Sequence, residues 1–99
     1  MTVKTIANLR QEIDQIHQDL YSLLARRRDL TMEIWKIKQE QGLPFFNAER
    51  EEQILRDFVA LNADQKEDPQ FEHLLKAVMN SILREYETYL KAKFSSDSN

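Results

Sequence analysis

Cysteine is absent from the chain, and with it go disulfides, thiolate nucleophiles and zinc knuckles. Glycine occurs once and proline twice in 99 residues, too few for a β-rich or loop-rich domain, which leaves helices. Apolar runs are never longer than a few residues, so no segment is expected to cross a membrane, and the opening MTVKTIANLRQEID lacks the apolar core of a signal peptide. The cytoplasm is the expected location. An excess of positive charge is missing as well. The 14 basic and 17 acidic residues leave a net charge of −3, so nothing recommends nucleic acid as a partner, and any anion site must be built locally. The two histidines supply no metal site: His73 falls on the polar side of its segment with no second ligand at metal spacing, and His17 reads as a structural or surface residue. Neither a metal nor a cofactor is expected.

What the chain does contain is periodicity and clear punctuation. A first helix is expected from about residue 5 to 40, ended by QGLP, where Gly42 suits a C-terminal cap and Pro44 cannot continue the helix. Asn47 is the expected N-cap of a second helix through about Asn62, with Glu49, Glu51 and Glu52 favourable against the macrodipole in its first turns. NADQKED reads as a polar loop. Asp68 and Pro69 form a cap and first helical residue for a third helix reaching about Lys93, and a single domain is expected over 1–94 with a disordered tail over 95–99.

On a helical wheel with Ile34 as zero, Leu9, Ile16, Leu20, Leu23 and Leu30 fall within about 40° of one line. Arg27 falls at about 20° and Lys38 at about 40°, inside that stripe. Tyr21, Leu24, Met32 and Trp35 widen the apolar surface beyond what two further helices of one short chain can cover, which implies a dimer. In the second helix Arg50 lies about 40° from Ile54, beside Phe58 and Leu61, with Glu51 at the stripe's edge. In the third, with Val78 as zero, Glu85 lies near −20° and Ser81 near −60°, among Phe71, Leu74, Ile82 and Tyr89, whereas Glu87 points away. A single cation in an apolar phase is usually a snorkelling side chain. Three cations and a carboxyl in core phase on three helices instead describe a small, cation-rich pocket for a carboxylate ligand, because isolated buried charges are costly.

The stretch LRQEIDQIHQDLYSLLARRRDLTMEIWKIKQEQGLPFFNAEREEQIL, residues 9 to 55, resembles the helical class of chorismate mutases. Leu9-Arg10, Ile13-Asp14, Leu23-Leu24, Arg27, Lys38, Pro44 and Arg50-Glu51 all stand in that family's order and spacing. The resemblance implies an all-α fold of three helices per chain, an intertwined homodimer with two active sites, and an isomerase that rearranges chorismate, a dicarboxylate, to prephenate in aromatic amino-acid biosynthesis. It makes Arg27, Lys38, Arg50 and Glu51 site residues of one chain and Arg10 a residue reaching in from the other. Arginines hold the two carboxylates, Lys38 touches a carboxylate and the ether oxygen, and Glu51 accepts the ring hydroxyl. Arg10 and Arg27 stand 17 residues apart, about 25 Å along a helix, so one helix cannot bring both to one small ligand.

Three positions depart from the family pattern. Asn47 replaces an aspartate that acts through its backbone and as a cap, and asparagine caps equally well. His17 replaces a common aspartate. On the last helix the family has Ser or Thr and then Gln or Glu four residues later, for which Ser81/Glu85, Ile82/Tyr86 and Leu83/Glu87 are the available registers. Ser81 and Glu85 combine the chemistry with the core-facing phase, at the expense of a preceding loop two residues shorter, and are the expected pair. Glu85 would have to be protonated to donate to the ether oxygen, so turnover should fall as pH rises, and Glu87→Gln should be silent. Two other functions remain open: an isochorismate-pyruvate lyase of the same fold, and a non-catalytic helical module whose in-phase charges pair between chains.

Overall fold

A computed structural model of the chain describes residues 4–62 and 68–95. Three α-helices run over Ile6–Gln41 (α1), Ala48–Ala60 (α2) and Pro69–Ser95 (α3), with no strand among the described residues, so the fold is all-α. None of the helices is long and apolar enough to cross a membrane, among the described residues.

Each helix starts where a side chain can satisfy its orphan amides. Thr5 Oγ1 accepts the Asn8 N–H at 3.1 Å ahead of α1. Asn47, in extended backbone, accepts the Arg50 N–H at 3.1 Å. Asp68 accepts the Phe71 N–H at 3.0 Å, and Pro69, which has no amide to leave unpaired, is the first residue of α3. At the end of α1, Gly42 takes a left-handed φ of 68°, the Leu43 N–H reaches the Lys38 carbonyl at 2.8 Å, and the Gly42 N–H reaches that of Gln39 at 3.3 Å. This pair of reversed bonds is a Schellman cap, which requires a residue tolerant of positive φ at its centre. Helix α3 extends through Ser95, so the first residue of the expected disordered tail is helical. The rest of that tail, 96–99, and most of the NADQKED loop, 63–67, lie outside the described residues.

The chain divides into two compact units, one ending at Ile37 and one beginning at Lys38. In the first, Trp35 is the buried hydrophobic residue, at 8% exposure. Its apolar stripe is bare: Leu9, Ile16, Leu20, Leu30 and Ile34 are all exposed, Ile16 at 60%. In the second unit α2 packs on α3. Met79 and Leu90 are buried, Leu90 at 3% exposure, and Leu75, Leu83 and Tyr86 on α3 and Ile54, Leu55, Phe58 and Val59 on α2 are half-buried. Phe94 near the end of α3 meets Phe45 of the α1–α2 connection, ring centroids 6.1 Å apart.

The inward line of α3 is therefore not the one expected from the wheel. Leu75, Met79, Leu83, Tyr86, Leu90 and Phe94 form the buried and half-buried ridge, about 110° round from Val78, while Phe71, Leu74, Val78 and Tyr89 stay exposed. This α3 is apolar on two flanks, and Val78 marks the outer one.

Candidate functional site

In the first unit, the three consecutive arginines differ as their phase requires. Arg27 is half-buried, and Arg26 and Arg28 are exposed. Arg28 turns its guanidinium to the neighbouring Asp29, 2.9 Å away and in solvent. Thr31 closes the turn by donating its hydroxyl to the carbonyls of Arg27 and Arg28, both at 2.9 Å. Arg10, one turn into α1, is exposed.

In the second unit Lys38 is half-buried and its ammonium donates to the Phe45 carbonyl at 3.1 Å. The Asn47 cap holds the backbone amide of Arg50, which fixes the first turn of α2 and so the origins of the Arg50 and Glu51 side chains. Arg50 is exposed, not inside the α2 stripe as its phase suggested, and Leu61 beyond it is exposed as well. A guanidinium on a long stem reaches water at little cost, so a wheel angle of about 40° does not compel burial.

Glu51 is half-buried at the mouth of a cavity of about 270 Å³ between α2 and α3, which it lines together with Phe46, Glu52, Leu55, Leu83 and Arg84. Burial pushes the Glu51 carboxyl above the usual carboxylate range, and the negative charge of Glu87 pushes it further in the same direction. Glu87 thus faces Glu51 across the helix pair. Only 25% of its side chain is exposed, and Lys91 one turn on holds its carboxylate at 2.8 Å.

The expected α3 pair lies away from this cavity. Ser81 and Glu85 are both exposed, on the outer flank with Val78, and neither lines the cavity. Leu83 does line it, and Glu87 is the α3 carboxyl that Glu51 feels. Leu83/Glu87 is also the register that needs no shortening of the preceding loop. Tyr86, from the remaining register, is half-buried on the packed ridge. Arg84 is a cavity-lining cation that the wheel passed over; among the described residues no hydrogen bond or ion pair holds its guanidinium. Its adjacency to Leu83 would have found it, had the ungapped register been kept.

A carboxyl, that of Glu51, and a cation, Arg84, thus line one cavity between α2 and α3. Relatives include the T-protein of Haemophilus influenzae, 35% identical over 54 residues, 54% of this chain and 14% of that protein. The bifunctional chorismate mutase/prephenate dehydratase of Aquifex aeolicus is 34% identical over 62 residues, 63% of this chain and 17% of that protein. The chorismate mutase of Methanocaldococcus jannaschii is 33% identical over 52 residues, 52% of each chain. The chain thus spans well under two thirds of each of these proteins. No solved structure matches it. Residues 9–87 match the chorismate mutase type II family from the first turn of α1 to Glu87, a span that includes Arg10, Arg27, Lys38, Arg50 and Arg84, and the chain belongs to that family.

Proposed function

We propose that this chain is itself a chorismate mutase, acting in the cytoplasm on chorismate as a homodimer. The observation that carries the reading is the family match over residues 9–87, a span that contains Arg10, Arg27, Lys38, Arg50 and Glu51. The rearrangement is intramolecular: the ether C–O bond breaks as a C–C bond forms, and negative charge builds on the enolpyruvyl oxygen. The protein has to hold a flexible dicarboxylate in its compact conformer and place donors where that charge develops.

Arg27 and Arg50 of one chain and Arg10 of the second copy take the two carboxylates, for which planar guanidinium forks are suited. Lys38 donates to a carboxylate and to the ether oxygen, and Glu51 accepts the ring hydroxyl. Glu87 takes the α3 role first given to Glu85. Leu83 stands where a hydroxyl would bind a carboxylate and offers none, and Arg84 beside it, on the wall of the same cavity, supplies that contact. A second copy is also what the bare stripe of α1 calls for. Apolar residues left exposed along 36 residues, about 54 Å of helix, form a surface that a soluble monomer rarely retains.

Purified protein mixed with chorismate should consume it, followed as loss of its ultraviolet absorbance, with prephenate as the product. Inertness toward chorismate with release of pyruvate from isochorismate would assign the lyase activity instead. Inertness toward both would leave a helical interaction module.

The acidic pair adds a pH dependence. Because the Glu51 pKa is raised, its neutral form persists above the ordinary carboxylate range and gives way to the anion as pH rises through the shifted value. Above it, Glu51 and Glu87 place two negative charges beside an anionic substrate, so turnover should decline with rising pH. Glu87→Gln removes one of those charges and the second cause of the Glu51 shift, and an amide donates at every pH where a carboxylate anion cannot. That variant should flatten the profile and raise activity near neutrality by roughly tenfold, the worth of one hydrogen bond to developing charge. Glu85→Gln should leave the profile unchanged. A profile that moves with Glu85 and ignores Glu87 would overturn the α3 assignment.

A further inference from the structure

Lys38 is tethered at both of its ends to the short connection between α1 and α2. Its backbone carbonyl accepts the Leu43 N–H at 2.8 Å inside the Schellman cap, and its ammonium donates to the Phe45 carbonyl at 3.1 Å. Phe45 is in turn anchored to α3 by its ring, which meets that of Phe94 at 6.1 Å and an interplanar angle of 40°. Both rings are half-buried. The line from Phe94 through Phe45 to the lysine head bypasses the cavity altogether.

We propose that Phe94 is a positioning residue for Lys38, acting through Phe45. The inference rests on the reading of Lys38 as the ether-oxygen donor. An ammonium has three hydrogens and a four-carbon stem with large rotamer freedom. One hydrogen committed to the Phe45 carbonyl fixes the direction of the other two, and two is the number that a carboxylate and an ether oxygen require. The tether therefore orients the donor without occupying it. It can do so only while the Phe45 carbonyl itself is held, and the tilted ring pair with Phe94 is an apolar clamp on that residue, in the offset geometry that aromatic rings favour.

Phe94→Ala should reduce kcat by about fivefold with KM changed less than about twofold, the split expected when a donor's orientation toward the transition state loosens while ground-state binding is kept. Phe94→Tyr should restore kcat. Phe94→Leu, which keeps apolar volume but loses the ring pair, should lie between and guards against misfolding of the alanine variant. In a Lys38→Ala background, Phe94→Ala should cost nothing further, because the residue it positions is gone. A structural role would predict the same proportional loss in both backgrounds. A readout free of turnover is the ε-methylene carbon–proton NMR signal of Lys38, assigned by its loss in Lys38→Arg. In Phe94→Ala and Phe94→Leu that signal should shift or sharpen as the head is freed. Unmoved Lys38 signals, or losses that multiply in the double variant, would overturn the relay. Absence of turnover by the unsubstituted protein would strike at the proposed function alone and leave the NMR test standing.

Discussion

Arg27→Ala is expected to lower kcat/KM for chorismate by about a hundredfold or more, while Arg26→Ala and Arg28→Ala stay within about threefold of the unsubstituted protein. The three side chains are consecutive and chemically identical, so composition and net charge cannot tell them apart. Their environments can. Arg27 is half-buried in the apolar stripe, Arg28 is spent on Asp29 in solvent, and Arg26 is exposed. A guanidinium shielded from water binds a carboxylate more strongly than an exposed one, because the local dielectric is lower and less screening intervenes. Losing it removes a charge-assisted contact worth about 3 kcal/mol at the transition state. Stability should move the other way or not at all, since an inward cation that no longer has to be shielded is removed. Steady-state kinetics with thermal melts on the three alanine variants checks both parts. Equal losses of activity at all three positions would mean that burial at Arg27 has nothing to do with the ligand.

That contrast was readable from the sequence because a single long helix keeps its phase: with Ile34 as origin, the positions of Arg27 and of its two neighbours follow from geometry alone. The helix boundaries were readable for a similar reason. Gly42 at positive φ, Asn47 and Asp68 as caps, and Pro69 at the first helical position are local devices that work without knowledge of the rest of the fold. The face of α3 was not readable in the same way. A wheel reports where apolar residues lie, not which neighbour covers them, and α3 carries apolar residues on two flanks. Choosing Val78 as origin selected the flank left bare in one chain, which carried Ser81 and Glu85 outward with it. The longer ridge of Leu75, Met79, Leu83, Tyr86, Leu90 and Phe94, spaced by three and four residues throughout, was present in the sequence and would have placed Glu87 beside Glu51. Two features had no sequence signal. The bond from Lys38 to the Phe45 carbonyl is made to backbone, and the Phe45–Phe94 pair joins residues far apart in the chain.

Mixing inactive variants should restore activity, and the amount restored is fixed by symmetry. Arg10 and Arg27 lie on one continuous helix and are separated by about 25 Å along it, so a ligand small enough to touch Arg27 cannot touch the Arg10 of the same chain. If Arg10 serves the site of a second copy, a dimer has two sites, each built from Arg27 of one chain and Arg10 of the other. Arg10→Ala and Arg27→Ala homodimers then lack one arginine at both sites, and each should retain on the order of a hundredth of normal activity. A heterodimer of the two variants has one site missing both arginines and one site missing neither. Random reassociation after unfolding makes half of all dimers mixed, so about a quarter of the full activity should return, a gain of roughly twenty-fivefold over either parent. Arg27→Ala mixed with Lys38→Ala provides the control, because those residues are assigned to the same chain's site and no pairing rebuilds an intact one. Recovery in the first mixture and none in the second would place Arg10 in the neighbour's site. If mixed dimers form, as mass measurement under native conditions can establish, and activity stays at parental levels, Arg10 acts within its own chain or not at all, and the bare stripe of α1 must be covered in some other way.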